Sequence, residues 1–265
     1  MYFLILSAAI VAIHIIHGLT LSRIIQHKEV IYSSKRVQQS LDGCRLALVT
    51  DVHNISHKRL EKIVGRISAS NVDALLLGGD FSEDRDFAAK SIEVLSKTKT
   101  KYGIYGAEGN HDNHEHLFAC MEKGGIIPLS NSGVSVCEGL FIAGTEDLWN
   151  RKPNISTAIQ NANKGDFVIL ISHNPDVTIQ QDTTGADLVV CGHTHGGQVS
   201  FFGIWAPVFT FSKRISQYGQ KFREGWAKSK IGTPVYTSRG IEDGTTGVPR
   251  IFTQPQVVYI TLQST

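Results

Sequence analysis

Five short apolar runs in this 265-residue chain each break off into a cluster of polar, chelating side chains. "RLALVTDV" from Arg45 ends on Asp51 and His53, "DALLLGGD" from Asp73 ends on Asp80, and "KYGIYGA" from Lys101 leads to Asn110, His111 and Asp112. "DFVILIS" from Asp166 leads to His173, and "ADLVVCG" from Ala186 leads to His193 and His195. Such aliphatic and β-branched runs, bounded by polar residues and glycine, read as buried strands. The segments between them carry a helical period. In "SHKRLEKIVGRISAS" Leu60, Ile63, Val64 and Ile67 recur on one face, with Ser56 placed to cap the start. "DRDFAAKSIEVLSK" and "NHEHLFACMEKGG" read likewise, the second stopped by Gly124 and Gly125. "VSVCEGLFIAGTED" predicts a hairpin turning at Glu138 and Gly139, and "QPQVVYITLQ" a final strand. Strands alternating with helices predict an α/β layer protein.

In sheets of this kind functional groups collect beyond the carboxyl ends of the strands. A polar group set directly after a buried run is costly unless it is partnered. Five such placements in one chain therefore point to a shared site. Every one of these side chains offers an oxygen or nitrogen donor. A carboxylate such as Asp80 has two oxygens and can span two cations. Mixed oxygen and imidazole donors suit Mn²⁺, Fe or Zn²⁺ better than Mg²⁺. No strong Ser or Cys nucleophile motif accompanies them, so an activated water is the expected attacking group. In "CGHTHGGQ", an extended segment sets His193 and His195 on one side, and Gly192, Gly196 and Gly197 permit close approach.

The ordered set Asp-x-His, Gly-Asp, Gly-Asn-His-Asp, His and Gly-His-x-His resembles the calcineurin-like metallophosphoesterase superfamily from about Arg45 to Gln198. "SHNPD", "GHTHGGQ" and "SRG" are similar to its bacterial membrane-anchored branch, which includes phosphodiesterases and UDP-2,3-diacylglucosamine pyrophosphatases. The resemblance implies a four-layer α/β/β/α sandwich with two divalent ions at one edge. It implies that Asp51, His53 and His195 hold the first ion, that Asn110, His173 and His193 hold the second, and that Asp80 bridges them. It assigns His111 the donation of a proton to the departing oxygen, with Asp112 orienting its ring. The implied activity is hydrolysis of a phosphodiester or pyrophosphate, of a lipid-linked or nucleotide-sugar substrate. A phosphomonoesterase and a non-catalytic binding scaffold on the same fold are the alternatives.

The amino terminus, "MYFLILSAAIVAIHIIHGLTL", is an uncharged and mostly apolar run of about 20 residues, the length that crosses a bilayer as a helix. It lacks a basic leading region and a small-residue cleavage site. The expectation is an uncleaved transmembrane anchor over residues 1–22, a linker and edge strand over 23–44, and a catalytic domain over 45–265. Arg23, Lys28, Lys35 and Arg36 follow the run, which by the positive-inside rule sets the catalytic domain of this single-pass membrane protein in the cytoplasm. His14 and His17 read as a polar stripe on the anchor. "LDGC" at Leu41–Cys44 lies too far from the apolar run for a lipoprotein cleavage box. Cys44, Cys120, Cys137 and Cys191 form no CxxC pair, so they are neither a zinc knuckle nor a disulfide framework. A net charge of +2 with no basic tail argues against nucleic acid as a partner.

After the last chelating residue, "VSFFGIWAPVFTFSKRISQYGQKFREGWAKSK" interleaves aromatics with Lys213, Arg214, Lys221, Arg223, Lys228 and Lys230. It reads either as a lip that touches a bilayer or lipid tail or as an excursion that covers the core behind a solvated basic face. "SRGIEDGTTGVPR" carries Glu242 and Asp243 where the resembled branch continues into glycine and small residues. Two carboxylates there are expected to repel phosphate unless they point outward or meet a cation.

Overall fold

Buried strands alternating with amphipathic helices build two mixed sheets of six strands each. A computed structural model of the chain describes residues 2–244 and 248–265; Thr245, Thr246 and Gly247 of the "SRGIEDGTTGVPR" loop lie outside the described residues. In chain order the strands are β1 (Gln26–Ser34), β2 (Arg45–Val49), β3 (Ala74–Gly78), β4 (Ile104–Ala107), β5 (Ile127–Pro128), β6 (Ser132–Cys137), β7 (Leu140–Gly144), β8 (Phe167–Ile171), β9 (Leu188–Cys191), β10 (Gly225–Lys228), β11 (Pro234–Thr237) and β12 (Gln256–Ser264). One sheet runs β1-β12-β2-β3-β4-β5 and the other β10-β11-β9-β8-β7-β6. Within them β2, β3 and β4 are parallel, as are β7, β8 and β9. Their carboxyl ends can therefore gather at one edge. The expected hairpin is β6 with β7, antiparallel.

Side-chain alternation along the strands sorts the core into layers. In β8, Phe167, Ile169 and Ile171 enter the core between the sheets, while Val168 and Leu170 face the outer helices of the second sheet. In β2, Leu46 and Leu48 face between the sheets, and Ala47 and Val49 face the helices of the first. Burial on both faces is why these strands read as unbroken apolar runs rather than alternating ones. Two sheets with helices outside each give the four-layer α/β/β/α sandwich.

Helices α1 (Tyr2–Thr20), α2 (His57–Ala69), α3 (Arg85–Leu95), α4 (His114–Lys123), α5 (Ile155–Ile159), α6 (Val177–Gln180) and α7 (Val208–Phe211) complete the elements used below. The apolar stripe of α2, Leu60, Ile63, Val64 and Ile67, is buried against the first sheet. Ser56 stands at its N-cap, but its hydroxyl makes no capping bond. By contrast Asp84 accepts the Phe87 N–H of α3, and Asn113 the His116 N–H of α4, each satisfying an otherwise orphaned helix donor.

The expectation of a membrane-spanning anchor gains no support from the described residues. Residues 2–20 do form the 19-residue helix α1, yet among the described residues no helix is long and apolar enough to cross a membrane. The polar interruptions in the run have work elsewhere. The His14 ring packs against Phe201, Phe202 and Phe252 with centroids at 5.4, 4.8 and 4.9 Å. His17 Nδ1 accepts the Phe252 N–H at 3.1 Å. These histidines are docking contacts to the sandwich, not a free polar stripe.

Candidate metal centre

Beyond the carboxyl ends of β2, β3, β8 and β9 the chain enters tight turns, and five chelating residues sit in the left-handed region: Asp51, His53, Asp80, His193 and His195, with φ of 52°, 43°, 58°, 72° and 50°. Non-glycine residues avoid this region, and such strain clusters at functional sites. It also corrects the reading of "CGHTHGGQ". The segment is not extended at His193 and His195, since both take positive φ, while their division between two groups is the expected one. His195 joins Asp51 and His53, and His193 joins Asp80 and His173. Within each trio one donor atom per residue lies within 4.8 Å of the others.

Glycines make these turns possible. A Cβ at Gly192 would meet Asp51 Oδ2 at 2.5 Å, and one at Gly109 would strike the Asp80 carboxylate. The backbone therefore closes around both carboxylates. The His193 N–H donates to Asp51 Oδ1 at 3.0 Å, and the His111 N–H donates to Asp80 Oδ1 at 2.8 Å. Asp80 Oδ2 stands between the trios, 3.1 Å from His173 Nε2 and 3.6 Å from His53 Nε2.

Two imidazoles have their tautomer set by backbone carbonyls. His173 Nδ1 pairs with the Gly78 carbonyl at 2.7 Å, and His193 Nε2 with the Ile215 carbonyl at 3.0 Å. A carbonyl only accepts, so each ring carries a proton there and turns its other nitrogen inward: on neutral His193 as a lone pair, on His173 as the nitrogen whose proton faces Asp80 until a cation replaces it. Asn110 Oδ1 and His173 Nε2 are buried with no aligned hydrogen-bond partner among the described residues. A buried acceptor left without a partner, as Asn110 Oδ1 is, calls for an unseen partner such as a cation. Mixed oxygen and imidazole donors fit a divalent transition ion.

The electrostatics agree. Burial, then the neighbouring His195, lowers His53 to about 4, and burial with His173 nearby lowers His193 to about 3. Both rings are neutral near pH 7, with lone pairs available. Burial works against the charge of His173, but the Asp80 carboxylate overrides it and raises this group to about 10. Burial likewise opposes the charge on Asp51 and Asp80, and the surrounding imidazoles hold both carboxyls below the usual range.

His111 sits on the exposed rim, its ring edge-on to His53 at 5.4 Å between centroids. The partner expected for it is wrong. Asp112 accepts backbone N–H groups from Asp80 at 2.8 Å, Phe81 at 2.7 Å and Gly109 at 2.8 Å, which ties the β3 and β4 turns together and leaves nothing for the ring. His111 Nδ1 pairs instead with Glu83. Burial and the nearby Asp80 push Asp112 up to about 7.

Glu242 and Asp243 each meet a cation. Asp243 pairs with Arg59 of α2. Glu242 is fully buried against Arg250, with Oε2 to Nε at 3.3 Å, and lies 3.6 Å from His195 Nδ1. Sequence spacing gave no hint of these partners, nor of Glu83.

Beside the trios opens a cavity of about 830 Å³, with His53, His111 and His195 on one wall and Pro207, Val208 and Ile215 among its apolar lining. The aromatic segment after Gln198 divides between the two expected roles. Phe209 and Phe222 are buried, whereas Phe201, Phe202, Ile204 and Phe211 are exposed.

Residues 44–197 match the family described as calcineurin-like phosphoesterase. The chain is 27% identical over 258 residues to the uncharacterized metallophosphoesterase YkuE of Bacillus subtilis, covering 91% of this chain and 86% of that one. It is 28% identical over 257 residues to a transmembrane protein with metallophosphoesterase domain of Danio rerio, covering 86% of this chain and 55% of the fish protein. The chain thus spans little more than half of that relative's length, and 59% of that of a similar Helicobacter pylori metallophosphoesterase. One solved structure superposes with a TM-score of 0.53 at 10% identity, over 76% of this chain and 92% of its own, a likeness of fold alone. With the family match covering more than half of its length and the two chelating trios in place, the chain belongs to the calcineurin-like phosphoesterase family.

Proposed function

We propose that the protein is a dinuclear phosphodiesterase or pyrophosphatase acting on an amphiphilic, lipid-linked substrate. In this reading Asp51, His53 and His195 hold one divalent ion, and Asn110, His173 and His193 hold a second. Asp80, next to a histidine of each trio, would serve both. The carrying observation is that Asp80 Oδ2 lies within 3.1 Å of a histidine of one trio and 3.6 Å of a histidine of the other. Bound Mn²⁺, Fe or Zn²⁺ ions supply Lewis acidity toward the phosphoryl group and acidify water. The chain's own residues do the rest. The carbonyl contacts of His173 and His193 fix their rings with the other nitrogen turned inward. His111 gives its proton to the departing oxygen, and Glu83 on Nδ1 orients the ring.

The apolar wall of the cavity supports a substrate with a hydrophobic portion, since such walls select by area removed from water. Exposed Ile5, Leu6, Val11, Ile13, Ile15 and Ile16 of α1 lie on a helix that docks beside exposed Phe201 and Phe202, with exposed Lys213 and Arg214 farther along the same loop. This supports a surface that rests on an anionic lipid interface. The test compares Mn²⁺-loaded protein on bis(p-nitrophenyl) phosphate, p-nitrophenyl phosphate and a diester bearing an alkyl chain. The reading expects diester over monoester, and a lower KM with the alkyl chain. Preference for the monoester, or no effect of the chain, contradicts the respective part.

A further inference from the structure

We propose that Glu242 is a positioning residue for His195. Its carboxylate holds the proton on Nδ1 by facing the Nδ1–H as acceptor, which leaves the Nε2 lone pair facing Asp51 and His53. The inference rests on the reading of His195 as a metal ligand.

The geometry around the ring is two-sided. On the inner side His195 Nε2 is 3.3 Å from Asp51 Oδ1 and 3.2 Å from His53 Nε2. On the outer side Nδ1 has two neighbours of opposite character: Arg250 Nη2 at 3.0 Å and Glu242 Oε2 at 3.6 Å. A neutral imidazole has one N–H, and the nitrogen that carries it cannot take a cation. If Nδ1 accepts from Arg250, the proton sits on Nε2 and closes the inner side. If Nδ1 donates to Glu242, Nε2 is free. The pair Glu242 and Arg250 thus selects the tautomer, and only the Glu242 arrangement allows ligation.

Both groups are built to serve that choice. Arg250 is fully buried and does not depend on the ring, because it also reaches the carbonyls of Arg239 at 2.7 Å, Thr253 at 3.2 Å and His195 itself at 3.3 Å. It lies 3.3 Å from Glu242 Oε2 and offsets that buried charge. Glu242 is fixed relative to the site by its own backbone, whose N–H donates to the Asp51 carbonyl at 2.9 Å, one residue after Ile241 donates to Thr50 at 3.0 Å. Gln198 holds the same Oε2 at 3.2 Å. The loop that bears Glu242 is therefore pinned to the β2 turn that bears Asp51, and the carboxylate cannot drift from the ring it serves. Outer partners of ligating histidines shift metal affinity by about 10–100-fold when lost.

The experiment uses the full chain, stripped of metal and titrated with Mn²⁺ followed by its EPR signal, alongside ¹⁵N-histidine NMR of the Zn²⁺-loaded protein. The His195 signals are assigned by their absence in His195→Asn. Wild type is expected to show His195 protonated at Nδ1 with slow exchange. Glu242→Gln, with its thermal transition retained, is expected to bind the weaker-held Mn²⁺ about 10–100-fold less well and to exchange that proton faster. Glu242→Asp is expected to recover part of the affinity. Equal Mn²⁺ affinity in Glu242→Gln overturns the proposal. So does an Nε2–H tautomer of His195 in loaded wild type, a result that needs no variant to fold. Failure of wild type to bind Mn²⁺ at all overturns the metal reading, and this proposal with it.

Discussion

His53 Nε2 and His195 Nε2 lie 3.2 Å apart. With His53 lowered to about 4 by burial and by its neighbour, an uncharged ring nitrogen faces His195 beside Asp51. A shared cation resolves that arrangement better than one hydrogen bond can, because it engages both lone pairs and the carboxylate together. Protein reconstituted with Mn²⁺ and desalted is expected to retain two ions per chain by elemental analysis, and His53→Ala to retain one. Two ions retained in both proteins contradict the assignment.

Gly109 bears on the same point through sterics. Any Cβ there strikes the Asp80 carboxylate and meets the Asp80 backbone nitrogen at 2.5 Å. Gly109→Ala should cost about 1–3 kcal/mol of stability through overpacking and weaken metal binding, read by urea denaturation and Mn²⁺ titration. Gly65, with nothing within 4 Å of its added Cβ, is the control. If Gly109→Ala matches Gly65→Ala in both measurements, the close approach is not real.

The metal-free protein should show a stability optimum in pH. His173 is raised from 6.5 to about 10 by Asp80 against the pull of burial, so its contribution is full below pH 6.5 and is lost as pH rises through about 10. His53 and His193, lowered from 6.5 to about 4 and about 3, act with the opposite sign: their contribution is full above pH 6.5 and is lost as pH falls toward those values. In EDTA the melting temperature should therefore peak near pH 6.5, and Mn²⁺ should flatten the alkaline fall by replacing the proton between His173 and Asp80. A metal-free transition that keeps rising from pH 7 to 9 contradicts this.

A proton donor matters most when the leaving group is a poor one. His111→Ala should slow an alkyl phosphodiester by about 10²-fold or more while p-nitrophenyl esters lose far less, and Glu83→Gln should fall between. Equal losses on both ester types would show that His111 serves binding rather than proton transfer.

The strands and the ligand-bearing turns were legible because burial on both faces writes an unbroken apolar run, and Asp51, Asp80, His173 and His193 follow such runs directly. Left-handed backbone at Asp51, Asp80 and His193 was not, since a non-glycine residue carries no mark of positive φ. Long-range pairings were also hidden. Glu83 lies 28 residues from His111, and Arg59 lies 184 from Asp243, so neither pairing has a spacing that could be read. Asp112 follows His111 directly and seemed placed to orient it, but three orphaned backbone donors claimed its carboxylate first. The apolar amino terminus met the length of a membrane span, while its histidines record the docking onto Phe252 that composition alone cannot show.

Asp80 is the group on which the account turns, and one assay addresses it. Metal-stripped wild type and Asp80→Asn are compared on bis(p-nitrophenyl) phosphate before and after Mn²⁺ is restored. Wild type should be inactive until the metal is added and then turn over, and Asp80→Asn should stay at least about 10²-fold lower, in keeping with the loss of a group that stabilises the transition state's charge. Turnover by the stripped wild type, or full recovery in Asp80→Asn, would contradict a metal pair built around this carboxylate.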